Sequence, residues 1–233
     1  MQGLFHCPYF VISLCLPTNS CMNMNPQLAK VLSYCFHPLL LPTWLFGLLF
    51  FRTPIFIEFT EKIRLYLWSL ITLCTLAIPA VMVILLYKMQ YIKSLEMREV
   101  TERRVPMLLT STIYVALAVL VETGIFRGTI FSYIIICISF SVFIASVITL
   151  YYKISVHAVG IGGMVGLLLA LQFLDFRYQL LYLVIGAVFA MGMILSARLS
   201  LAAHTPEEVW WGSIIGVVGN FSLLLTLVYW VGI

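Results

Sequence analysis

Two pairs of side chains have spacing that suits chemistry. His204 and Glu208 stand four residues apart, and so do Lys153 and His157. Residues four apart share one helix face. If a helix starts one turn before His204, Glu208 can hold its imidazole in one tautomer. Arg198 precedes His204, Ser155 precedes His157, and Arg98, Arg103 and Arg104 cluster before Pro106. One histidine is suited to attack phosphorus and the other to protonate a leaving oxygen. Planar guanidinium groups suit phosphate oxygens.

Each of these residues also has a plainer reading. Thr205-x-x-Glu208 is a capping box, so Glu208 has a second role as a helix cap. Arg98–Glu102 and Glu99–Arg103 are spaced as ion pairs on a solvated helix. Lys153 can snorkel at a helix end. His157 and His204 can be buried structural histidines, and His37, ahead of Pro38, reads as structural or interfacial.

The elements that must position these groups follow from composition. Of 233 residues, 63% are hydrophobic and 9% are charged, with a net charge of +4. That excludes an ordinary soluble enzyme, a disordered chain and a nucleic-acid binder. The expected fold class is all-α, a polytopic membrane bundle of about 6–7 transmembrane helices. Apolar runs place spans at roughly 31–51, 65–87, 107–126, 129–152, 156–174, 179–197 and 206–231. Pro79 is expected to kink the second span. Asp175-Phe176-Arg177 closes the fifth. Gly162/Gly166 and Gly212/Gly216 have the small-xxx-small spacing of close helix packing.

Residues 1–24 read as a poorly defined leader and residues 25–233 as one membrane-embedded domain. The leader lacks a basic n-region, and Met22 and Met24 offer later starts. The six cysteines show neither CxxC pairing nor a histidine at metal spacing, and several lie in apolar runs, so neither a disulfide framework nor a metal site is expected.

Alternating spans put the loops at 88–106, 153–155 and 198–205 on one membrane face. The third, fifth and seventh spans start there, with start signals at Pro106, Ser155 and Thr205-Pro206. Their positive ends favour an anion, phosphate in particular.

Ala197-Arg198-x5-His204-x3-Glu208 resembles the third motif, Ser-Arg-x5-His-x3-Asp, of the type 2 phosphatidic acid phosphatase superfamily. Ile154-Ser155-Val156-His157 resembles its second motif, Pro-Ser-Gly-His. Arg98 to Pro106 resembles the first, Lys-x6-Arg-Pro. The resemblance covers about 95–215, and the third motif is the most specific part. Glu208 replaces Asp, Ala197 replaces Ser, Ile154 and Val156 replace Pro and Gly, and Val105 separates Arg104 from Pro106. The resemblance implies that His204 is the nucleophile, that Glu208 orients it and that His157 is the general acid. It implies phosphate binding by Arg98, Arg104, Lys153 and Arg198, with Arg103 as the alternative to Arg104. Ser155 would add its hydroxyl and backbone amide as donors. No metal or other cofactor is implied.

The reading is an integral-membrane, metal-independent lipid phosphate or diphosphate phosphatase working through a phosphohistidine. Its partners would be membrane lipids and a phosphorylated lipid substrate. Phosphatidic acid, phosphatidylglycerol phosphate, undecaprenyl diphosphate and lipid A phosphates are the candidates. The alternatives are an inactive phospholipid-binding protein and a transporter on the same fold. Lys30, Lys88, Lys93, Arg98, Arg103, Arg104, Lys153 and Arg198 lie on the site face, against Arg52, Lys62, Arg64, Arg127 and Arg177 opposite. Setting aside the five proposed phosphate ligands reverses the balance. The positive-inside rule then puts the site outside, facing the periplasm of a bacterial inner membrane.

Overall fold

A computed structural model describes residues 24–94, 100–174 and 180–231. The leader up to residue 23, Arg98, and the Asp175-Phe176-Arg177 loop lie outside the described residues. The helices are α1 Pro26–Cys35, α2 Leu41–Arg52, α3 Glu61–Lys88, α4 Val100–Thr123, α5 Ile130–Thr149, α6 Val156–Phe173, α7 Leu181–Ser200 and α8 Pro206–Val231. No strand occurs among the described residues. Helices α3 to α8 are each long and apolar enough to cross a bilayer, making the chain a multi-pass membrane protein.

The expected first span, 31–51, is instead two short helices. The residue before a proline is pushed out of the helical region, and Pro38 has no N–H to donate. The chain therefore breaks between Cys35 and Leu41, with Pro42 starting α2. At 1.5 Å per residue, α1 and α2 reach about 15 and 18 Å, short of a bilayer core of about 30 Å.

Helix α6 is the centre of the bundle. Two thirds of its apolar window (67%) is buried, against 17% for α3 at the periphery. Its glycines seat α8. A Cβ on Gly162 would lie 2.8 Å from the Ser213 carbonyl oxygen, and one on Gly212 would lie 2.9 Å from that of Ser155. Gly166 and Gly216 would overlap the Val217 and Val159 carbonyls in the same way. The four glycines expected to mediate close packing pair with one another's helices.

Pro79 sits within α3, just after a π-helical turn at Leu73–Ala77. Proline cannot donate to the carbonyl four residues back, which is that of Thr75. The buried Tyr114 hydroxyl of α4 donates to that carbonyl at 3.0 Å. A neighbouring helix therefore satisfies the group that proline frees, as apolar surroundings require. Ser139 and Ser146 of α5 likewise donate to the Tyr114 and Met107 carbonyls of α4, at 2.8 and 2.9 Å.

Pro106 does not start its helix, contrary to the sequence expectation. It lies inside α4, which already runs from Val100. The other two start signals match the structure. Ser155 caps α6, accepting from the Ala158 N–H, and Thr205 accepts from the Glu208 N–H at the head of α8.

Candidate active site

The spacing between Arg198 and His204 has a geometric cause. Arg198 occupies the last turn of α7. The Ala203 N–H then donates back to the Arg198 carbonyl at 3.2 Å, and the Ala202 N–H to that of Leu199 at 3.0 Å. This is the Schellman pattern that ends a helix. Its left-handed position is Ala202, with φ of 49°, where glycine is the usual residue. The turn reverses the chain, so His204 comes back within electrostatic reach of Arg198.

His204 Nδ1 and Glu208 Oε2 are 2.5 Å apart, and the imidazole is 2% exposed. The contact forms although α8 starts only at Pro206, so no extra helical turn is needed. Thr205 makes one half of the capping box with the Glu208 N–H, while the Glu208 carboxylate turns to His204. Lys153 Nζ lies 3.8 Å from the same Oε2. A carboxylate only accepts, so Nδ1 carries the proton and Nε2 of the neutral ring is bare. Burial lowers the His204 pKa; the bond to Glu208 opposes that, and the Arg198 and Arg103 charges reinforce it. The ring is thereby held neutral at ordinary pH.

The sequence left Arg103 and Arg104 as alternatives. Arg103 is half-buried and within electrostatic reach of both Glu208 and His204, whereas Arg104 is exposed. Arg98 lies outside the described residues.

Ser155 does not offer the backbone donor expected of it. Its N–H donates to the Glu208 carbonyl at 3.3 Å, tying the heads of α6 and α8 together. Its hydroxyl oxygen accepts from the Ala158 N–H and is fully buried. The donor it retains is the hydroxyl hydrogen. Lys153 and His157, four residues apart, meet different partners: Lys153 reaches the Glu208 carboxylate, while His157 turns towards α1.

Two further residues join the cluster, Ser33 from the last turn of α1 and His37 from the break that follows it. His157 Nε2 lies 3.2 Å from the Ser33 carbonyl oxygen, so this nitrogen carries a proton and donates. Arg198 Nη1 donates to the Ser33 hydroxyl at 3.4 Å. The His37 ring packs edge-on against His157, with centroids 5.6 Å apart. His37 Nδ1 accepts from the Leu39 N–H, and burial, then the Arg198 charge, lowers its pKa. Sequence reasoning set His37 aside as structural and missed Ser33. The His37-Pro38 pair was the available signal, since it forces the turn that brings both residues to α6.

The cluster therefore joins His204, Glu208, Lys153, Arg103, Arg198, His157, Ser33 and His37 at one end of the bundle. A neutral imidazole with a bare nitrogen sits among three basic side chains and beside a second histidine. Among the described residues no group of three or more His, Cys, Asp or Glu side chains is placed to hold a metal ion. Comparisons with protein-family models, curated proteins and solved structures find no match.

Proposed function

We propose that the chain is a metal-independent lipid phosphate or diphosphate phosphatase. The observation that carries this reading is the His204–Glu208 contact, which leaves Nε2 bare within electrostatic reach of Arg198 and Arg103, with Lys153 on the Glu208 carboxylate. His204 Nε2 attacks phosphorus, and the bond from phosphorus to the lipid or pyrophosphate oxygen breaks. His157, doubly protonated as the imidazolium when the phosphate charge is bound, gives that oxygen its Nε2 proton and becomes neutral, after the Ser33 carbonyl has moved away from Nε2. Water then gives a proton to the now neutral His157 and attacks phosphorus, the phosphorus–Nε2 bond breaks, and phosphate leaves. The basic side chains stabilise the charge that builds on the phosphate oxygens. A bacterial inner membrane, with the site facing the periplasm, is the setting this reading favours.

A second reading is phospholipid binding or transport without turnover. The Ser33 contacts favour it, because His157 and Arg198 are both engaged by the protein itself.

Phosphate release from a panel of lipid phosphates and diphosphates, with EDTA present, separates the two. Release that survives EDTA and falls at least ~10³-fold in His204→Ala supports the enzyme reading. Tight lipid binding by folded protein without release supports the second. Wild-type rates in His204→Ala would refute the nucleophile assignment.

A further inference from the structure

A cavity of about 60 Å³ lies among α2, α4, α5, α6 and α8. Its upper wall includes Pro38 and Val156, the chain neighbours of His37 and His157. Gly160, Met164 and Leu167 continue it down α6. The wall is apolar except for a few groups, of which Asn220 and Ser141 form a pair.

The Asn220 amide nitrogen donates to the Ser141 hydroxyl oxygen at 2.5 Å and to the Gly216 carbonyl at 2.9 Å. A carbonyl can only accept, so the amide cannot be turned the other way round. Its Oδ1 is then left with no hydrogen-bond partner among the described residues, on a side chain only 1% exposed. A buried acceptor in apolar surroundings needs a donor. The Ser141 oxygen accepts from Asn220, so its own hydroxyl hydrogen remains to be given. The pair thus presents one acceptor and one donor, which is what an alcohol group complements.

We infer that this cavity takes the hydroxyl-bearing carbon of a lipid chain and its immediate neighbours, the hydroxyl donating to Asn220 Oδ1 and accepting from Ser141. A single water would answer both groups, but it needs only about 10–15 Å³ and would leave most of the apolar wall bare. A hydroxylated chain meets the polar pair and the apolar wall together. The height is set by Gly163, whose Cβ would fall 2.9 Å from Asn220 Nδ2. Gly163 is six residues below His157, or about 9 Å along α6. The inference takes its setting from the lipid-phosphate reading, but its test does not use turnover.

The test uses the full chain in nanodiscs, as wild type, His204→Ala, Asn220→Leu and Ser141→Ala. The probes are hexadecyl phosphate and analogues bearing one hydroxyl at successive chain carbons. Binding is measured by competition against a fluorescent lipid phosphate. One hydroxyl position is expected to tighten binding roughly tenfold, in wild type and His204→Ala alike. Asn220→Leu and Ser141→Ala are each expected to return that ratio towards one. If Asn220→Leu does not fold, the milder Ser141→Ala carries the comparison. A ratio of one at every carbon, or a preference that survives in the folded cavity variants, overturns the inference and leaves a water-binding pair. Hydroxyl preference without phosphate release would sink the phosphatase reading alone, and release without preference would sink this one alone.

Discussion

At the scale of single residues, the His204 imidazole carries the main predictions. Because its pKa is lowered in the folded protein, the neutral ring persists below the ordinary histidine value of 6.5. The acid limb of kcat/KM is therefore expected below pH 6.5, and a limb at or above that value would contradict the assignment. The linkage has the same sign. The unfolded chain binds a proton at this site more readily, so stability rises with pH between the folded and unfolded pKa values. His157→Ala should lower kcat by about 10²–10⁴-fold if it supplies the leaving-group proton. Ser33→Ala frees Arg198 from a competing hydroxyl. Inorganic phosphate should then inhibit roughly 2–10-fold more tightly, read from its inhibition constant. Ala202→Gly relieves a left-handed backbone, and a denaturation curve should show a gain of about 1 kcal/mol.

At the scale of helices, the glycine contacts separate two kinds of position. Gly166→Ala would drive a methyl group into the α8 backbone and should cost about 1–3 kcal/mol in stability. Gly186 in α7 has nothing within 4 Å of an added Cβ, so Gly186→Ala should be neutral or slightly stabilising. Equal effects at both positions in a thermal melt would refute the packing account. These helices were legible in the sequence because span length, proline and small-residue spacing are each carried by side-chain type. The His204–Glu208 pair was legible for the same reason. The role of Ser33 was not: its carbonyl is a group every residue owns, and only the fold says which one meets His157. The break at His37-Pro38 was hidden by an apolar run long enough to pass for one span. Pro106 misled in the opposite direction, since a helix can carry proline near its start without beginning there.

At the scale of the whole molecule, aromatic residues mark the membrane boundaries. Trp210 and Trp211 are exposed at the head of α8, and Tyr229 and Trp230 are exposed at its end. About twenty residues of helix separate the two pairs, or about 30 Å, the thickness of a bilayer core. Exposed aromatics at both interfaces are the usual anchors. Orientation is testable at two exposed positions on opposite faces, Tyr151 on the site side and Ile125 on the other. In a cysteine-free background, an impermeant maleimide added to intact cells should label Tyr151→Cys. Ile125→Cys should react only after permeabilisation. The reverse pattern would place the site inside.

The tryptophan boundary has a consequence for how any ligand of the site is counted. His204 lies shortly before Trp210 in the chain, so a boundary drawn at the tryptophans puts the cluster at the level of the lipid head groups rather than in bulk water. A ligand anchored in the bilayer meets it by diffusing in a plane. Its effective concentration is then a mole fraction of the surface. Adding inert lipid or detergent should dilute the ligand and slow its capture, even when the amount per millilitre is unchanged.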